Sequence, residues 1–525
     1  MTMQGDRTVA APLRNFFVSQ QSRQRAPWIP QINRGLTFSE FHNSKVFFVI
    51  LLTAIFAFIF QSSLVFNGDA AYLAFAARQL LAHGAYGRDI FETNPPMILY
   101  LMLPVIGLQK LLPLSLVTMY RWYVLALAIL SSTVSFLLLK VFIKKEDVFL
   151  KNAVLTAILF VLFFLPMSSF AQREHFFIIL TFPYVFLSVL RLQGKSIPVF
   201  AATLIGFFAG LGFSLKPFFL VTLALIELYG MYQKKNFFYW LRAESITIFT
   251  VIFLYLCLIV IDEPGYIQYI FPWVLKYYFP FYKIPWEHMA LYPFIQFILI
   301  ILISYFIFPR SKEYPHFTRI LWLATVGMCM AFIIPRMPWY YHILPALGFA
   351  IILGAVYIGE FFKFFKATYK IFFMVLSFFL LFGSCYFEII KSLPKLLNEQ
   401  DYHEQQMIAS ALKAKPGKQS MICLLTETRP CFPLVYHLQG EFVGRFPLLW
   451  WFNGIQATEG KMHEKDEAAF IHVAVQDLNQ RQARWLITNP QILTYLLKNA
   501  EFTDAFQHYT YYITINHREI YERIS

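Results

Sequence analysis

From Lys45 to about Ile390 the chain strings together apolar runs, most near the roughly 20 residues that cross a bilayer core, separated by short polar breaks; after Ile390 the runs stop. The pattern predicts about eleven spanning helices, at approximately 45–66, 119–143, 152–170, 175–191, 197–215, 217–233, 243–262, 290–308, 318–335, 339–359 and 371–390. The run from Met97 to Leu112 is short and follows Pro95-Pro96, so it is expected to lie in the interface rather than cross. Counting it as a span would put Lys144, Lys145 and Lys151 on the outer face. Left out, it lets those lysines share one side with Arg191/Lys195, Lys234/Lys235/Arg242, Arg310/Lys312/Arg319 and Lys363/Lys366/Lys370, as the positive-inside rule asks.

The expected organisation is therefore a basic cytoplasmic tail at 1–44 without a cleavable signal peptide, a transmembrane domain at 45–390, and a soluble periplasmic domain at 391–525. The last is expected to be a small α/β unit. Met421–Leu425, Ala483–Thr488 and Tyr509–Ile515 read as strands, and Glu404–Lys413 and Val473–Gln480 as helices between them. The fold class is thus a polytopic α-helical membrane protein with interfacial helices in its first outer loop and an appended α/β domain.

Composition agrees: 58% of the 525 residues are hydrophobic, 14% are charged and sixty are phenylalanine, too much apolar surface for a water-soluble fold. The net charge of +14 resides mostly in the tail and the cytoplasmic loops, where it meets anionic membrane lipids, and no basic-aromatic nucleic-acid motif accompanies it. No nucleic-acid partner is expected. Cys257, Cys329 and Cys385 fall in apolar runs and read as packing residues; Cys423 and Cys431 are expected to bridge in an oxidising compartment, the alternative being two buried thiols. No Asn-x-Ser/Thr acceptor occurs, which leans toward a bacterial inner membrane as the setting.

Candidate chemistry gathers at the outer ends of the helices. Asp69 opens a good helix former that Gly84 ends, so it has two readings, N-cap or functional carboxylate. Arg88, Asp89 and Glu92 follow at the bilayer surface. Arg173, Glu174 and His175 sit at a turn with almost no loop, where charges are costly and are commonly functional or mutually paired. Lys216 interrupts a long apolar run just before Pro217, with snorkelling to the interface as its ordinary role. Pro335-Arg336-Met337-Pro338-Trp339-Tyr340-Tyr341-His342 precedes another span, and an aromatic belt alone would explain its rings. The Tyr/Trp/Pro-rich stretch from Asp262 to Met289 is expected to lie on the membrane as a lid.

Taken together these residues resemble the type C glycosyltransferase superfamily, multispanning enzymes that use polyprenyl-phosphate sugars. The likeness is carried by Asp69 just after the first span, by Gly84, Asp89, Pro95 and Pro96 in a Gly-x₄-Asp-x₅-Pro-Pro pattern, by Arg173-Glu174-His175, by Lys216 at a helix break, and by Arg336 ahead of Tyr340-Tyr341. Protein O-mannosyltransferases and lipid A aminoarabinose transferases are similar in these respects. Two departures matter: Asp69 is followed by Ala70 where protein O-mannosyltransferases carry Asp-Glu, and Glu174-His175 replaces an aspartate-centred motif. The resemblance implies a sugar transferase with a polyprenyl-phosphate-sugar donor, a lipid or glycan acceptor and an inverting single displacement. Asp69 would be the base, with Glu174 and His175 as further catalytic candidates and Asp89 and Glu92 as other candidate acids. Lys216, Arg336, Arg88, Arg173, Tyr340 and Tyr341 would hold the phosphate. No metal ligand is assigned, although a divalent cation (Mg or Mn) with Asp69, Glu174 and His175 is kept open as a cofactor. The rival readings are a lipid or glycan transporter or flippase, and a non-catalytic subunit of the same fold; no inverted repeat of broken helices supports the first.

Overall fold

The computed structural model describes residues 44–109, 111–307, 313–337, 339–362, 399–457 and 464–524. The apolar runs carry no polar alternation and form helices, three of which continue through an internal proline (Pro104, Pro183 and Pro345): α1 (Ser44–Ser63), α2 (Gly68–Leu81), α3 (Met97–Gln109), α4 (Leu116–Phe142), α5 (Val148–Phe163), α6 (Arg173–Leu192), α7 (Val199–Phe213), α8 (Leu220–Lys234), α9 (Ala243–Asp262), α10 (Pro293–Ile307), α11 (Pro315–Ile333) and α12 (Tyr340–Phe361). Each expected span has a helix within a few residues of it, except 371–390, which lies outside the described residues. By length and composition, six of these helices are able to cross a membrane: α1, α4, α6, α9, α11 and α12. The expected spans at 152–170, 197–215 and 290–308 are occupied by shorter apolar helices. Residues 217–233 are broken by a 3-10 turn at Pro217–Phe219, and α5 stops at Phe163, ahead of a second 3-10 turn at Met167–Ser169. The thirteen residues of α3 rise only about 20 Å, short of a bilayer core of roughly 30 Å.

Burial separates a central helix from an exposed apolar shell. α6 is 94% buried over its apolar window, packed among α4, α7 and α12, whereas α1, with higher mean hydropathy, is 22% buried. Exposed Phe48, Phe56 and Ile59 on α1, and Phe253, Leu254 and Ile261 on α9, form an apolar surface of the kind a membrane covers.

The C-terminal part of the chain, from α13 (Glu399–Lys413) onward, holds one five-stranded mixed sheet and belongs to the same compact unit as the helices. Its strands are β1 (Ser420–Leu424), β2 (Glu441–Phe442), β3 (Trp485–Thr488), β4 (Tyr509–Ile515) and β5 (Arg518–Arg523), in the order β2-β1-β3-β5-β4. β1 runs parallel to both of its neighbours, with Ile422 opposite Leu486, and its near-continuous apolar sequence suits a strand covered on both faces. β4 and β5 form a hairpin closed by Asn516-His517, both at positive φ, as a two-residue turn of this hand demands. α14 (Cys431–His437) lies in the connection from β1 to β2 and α15 (Glu464–Arg481) in that from β2 to β3. Cys423 and Cys431 are joined, their Cα atoms 6.5 Å apart.

The stretch expected as a lid is helical: two π-helical turns, Tyr266–Ile270 and Val274–Tyr278, lead into Phe279–Tyr282. It packs against the C-terminal part of the chain, where Lys276 Nζ meets Asp466 Oδ2 at 2.6 Å and the backbone of Tyr277 presses on Gly454 so closely that a Cβ there would lie 2.1 Å from a carbonyl oxygen.

Candidate active site

Three chain breaks converge at one end of the bundle. The first is the start of α2, where the side chain of Asn67, rather than Asp69, caps the helix by accepting from Ala70 N at 3.1 Å. The capping reading of Asp69 is thereby corrected: two acceptors compete for the same first-turn donors, and Asn67 occupies the cap position. The Asp69 carboxylate is instead turned outward, accepting from Gln172 Nε2 at 2.9 Å and from Thr428 Oγ1 at 3.0 Å.

The second break is the start of α6. Arg173 Nη1 lies 3.1 Å from Glu92 Oε1, with both side chains buried, and Glu92 also accepts from the backbone and side-chain nitrogens of Asn94. The third is Lys216, which precedes a proline and is therefore pushed to extended backbone, at φ −147° and ψ 138°. That kink sends its side chain inward, where Nζ sits 2.5 Å from Glu174 Oε1 and donates to His342 Nε2 at 3.2 Å. Glu174 is 1% exposed and Lys216 10%. Burial pushes the Lys216 ammonium below its ordinary pKa, against the pull of Glu174.

Arg173, Glu174, Lys216, Tyr341 and His342 line a cavity of about 230 Å³. Its far wall is apolar and aromatic, made of Tyr266, Phe271, Val274, Leu275, Tyr278 and Phe279 from the segment expected as a lid. Asp69 stands beside this cavity and acts electrostatically on Arg173, Tyr278 and Tyr341. Several buried polar atoms here have no hydrogen-bond partner among the described residues: Arg173 Nε, Glu174 Oε2, Gln172 Oε1 and His342 Nδ1. An ammonium can only donate to Nε2 of His342, an arrangement that suits the neutral ring with its proton on Nδ1, which has no acceptor among the described residues. Of the residues with unpartnered atoms, Arg173, Glu174 and His342 line the cavity, so a polar ligand or water entering it would find donors and an acceptor to satisfy.

The remaining sequence candidates sit elsewhere. His175 is fully buried with both nitrogens engaged, Nδ1 by Ala171 N at 3.1 Å and Nε2 by Leu162 O at 2.8 Å. Arg88 is 68% exposed and pairs with Asp89 at 2.7 Å. Arg336 lies outside the cavity lining although Pro335 and Met337 belong to it; at φ 52° its carbonyl accepts from Ile284 N and its guanidinium stacks 4.8 Å from the ring of Trp286. Tyr340 donates to Leu165 O at 2.7 Å. A divalent cation does not fit Asp69, Glu174 and His175: the imidazole is spent on backbone, Glu174 is bound to Lys216, and no group of three His, Cys, Asp or Glu side chains gathers among the described residues.

No family model matches the chain, and no curated protein matches it by sequence. Among solved structures, ArnT from Cupriavidus metallidurans bound to undecaprenyl phosphate aligns with a TM-score of 0.52 and 13% identity, over 91% of this chain and 98% of its own. Its apo state aligns equally well, over 97% of its length. The chain has the type C glycosyltransferase fold. The archaeal oligosaccharyltransferase AglB from Archaeoglobus fulgidus, in complex with an inhibitory peptide and a dolichol-phosphate, aligns more distantly, with a TM-score of 0.42 and 10% identity over 93% of this chain and 75% of its own. Of the residues gathered here, Asp69, Arg173, Glu174, Lys216 and Tyr341 were legible as site candidates in the sequence; Gln172 and His342 stood beside them in the same motifs without a role, and Thr428 carried no signal.

Proposed function

We propose that the chain is a membrane glycosyltransferase that moves a sugar from a polyprenyl-phosphate donor to a lipid or glycan acceptor on the periplasmic face. The observation that carries the reading is the cavity itself, which places two buried cations and an unpartnered imidazole nitrogen beside a half-buried carboxylate. The type C glycosyltransferase fold supports it, as does the undecaprenyl phosphate bound by the ArnT of similar fold.

In the proposed displacement the acceptor oxygen attacks the anomeric carbon from the face opposite the phosphate. Its proton passes to Asp69, the bond from the anomeric carbon to the phosphate oxygen breaks, and polyprenyl phosphate leaves with the electron pair. One displacement inverts the anomeric centre. Arg173 Nε, Lys216 and His342 Nδ1 meet the charge that develops on the phosphate, in a site whose burial strengthens each contact. Both cations are already paired with glutamates, so the phosphate competes with Glu174 for Lys216 rather than entering an unneutralised pocket. Apolar Phe271, Val274 and Leu275 suit the first isoprene units.

Binding of undecaprenyl phosphate to purified protein tests the site independently of turnover. The lipid is expected to raise the melting temperature of the wild type by several degrees and that of Lys216→Met by much less. Equal stabilisation of both would place the phosphate elsewhere.

A further inference from the structure

The carboxylate read as the base is held partly by a residue far along the chain, in the part that carries the sheet. Thr428 lies on the loop between β1 and α14, 359 residues from Asp69 along the chain, and is 8% exposed. Its hydroxyl donates to Asp69 Oδ1 at 3.0 Å while Gln172 Nε2 donates to Oδ2 at 2.9 Å. The approach depends on Gly68, because a Cβ there would lie 2.7 Å from Thr428 Oγ1. The loop is closed by the Cys423–Cys431 bridge and followed by a seated helix, on which Tyr436 donates to Ala71 O at 3.0 Å. With one donor on each oxygen the carboxylate resists rotation, so the lone pairs left for an incoming hydroxyl keep a fixed direction.

We propose that Thr428 is a positioning residue for sugar transfer: the C-terminal part of the chain supplies the hydroxyl that aims Asp69 at the acceptor. This rests on the reading of Asp69 as the base. Thr428 acts through Asp69 and is not part of the cavity lining, so removing its hydroxyl lowers turnover and spares donor affinity.

The test uses the full chain and a polyprenyl-phosphate sugar that the wild type turns over. Thr428→Val, close to threonine in shape but without the hydroxyl, is expected to lower kcat roughly 10- to 100-fold with KM for the donor within about twofold. Thr428→Ser is expected to recover most of that loss. Wild-type kcat in the valine variant, or a loss that serine does not recover, overturns the proposal. If Asp69→Asn abolishes transfer while Thr428→Val retains it, Asp69 stands as the base and only the positioning role falls. A wild-type chain that transfers no sugar from any such donor overturns the proposed function and this proposal together.

Discussion

Glu174 and Lys216 are almost wholly removed from solvent, and neither charge is tolerable there without the other. Lys216→Met alone strands a buried carboxylate and is expected to cost about 3–5 kcal/mol, read as a fall in melting temperature. Combining it with Glu174→Gln is expected to recover most of that loss, because no uncompensated charge then remains. Additive losses would show that the two do not form a coupled pair. These residues were legible in the sequence because a charge inside an apolar run is costly wherever it stands. Thr428 was not, since a threonine on a loop carries no local signal of a contact 359 residues away. The two roles open to Asp69 were separated by a neighbour: Asn67, two residues earlier, takes the cap and leaves the carboxylate for the cavity's edge.

Among the elements, the apolar runs predicted helices well because hydrophobicity over some 20 residues is a strong signal, while their ends were set by details outside that signal. α5 stops at Phe163 where Pro166 opens a 3-10 turn, and Pro217 divides what hydropathy alone would merge. In the C-terminal part of the chain β1, β3 and β4 were visible as apolar or aromatic runs. β2 is two residues long and β5, Arg-Glu-Ile-Tyr-Glu-Arg, is charged on both sides of its one buried isoleucine, so neither announced itself. The stretch from Asp262 to Met289 read as a loop lying on the membrane as a lid because it is rich in Tyr, Trp and Pro, yet it is largely helical and its rings build the cavity wall. The bridge between Cys423 and Cys431 is checked by non-reducing peptide mapping of protein made in an oxidising compartment. A linked pair of peptides is expected, and two alkylatable thiols would contradict it.

At the scale of the whole molecule, the part that carries the sheet meets the helices through charged contacts as well as packing, and one of these reports on pH. Burial alone would raise the Asp466 carboxyl, but hydrogen bonds from Lys276 and Tyr277 outweigh it and hold it below the ordinary aspartate value. A depressed folded-state pKa contributes stability above the unfolded value and loses it as pH falls through the folded one. Asp466→Asn is therefore expected to melt below the wild type at pH 7, with the gap closing below about pH 3.8; a gap that persists unchanged in acid would remove the charged contact from the account. Reporter fusions at Lys145 and Gln456 are expected to fall on opposite sides of the membrane, and the same side for both would undo the positive-inside argument. The most direct measurement of the central claim is sugar transfer itself: purified wild-type and Asp69→Asn protein incubated with a panel of polyprenyl-phosphate sugars and a lipid or glycan acceptor, with release of polyprenyl phosphate followed. The account predicts donor-dependent release by the wild type and a loss of roughly 10²–10⁴-fold in the asparagine variant at unchanged melting temperature. Release at the wild-type rate by Asp69→Asn, or none from any donor by the wild type, would contradict it.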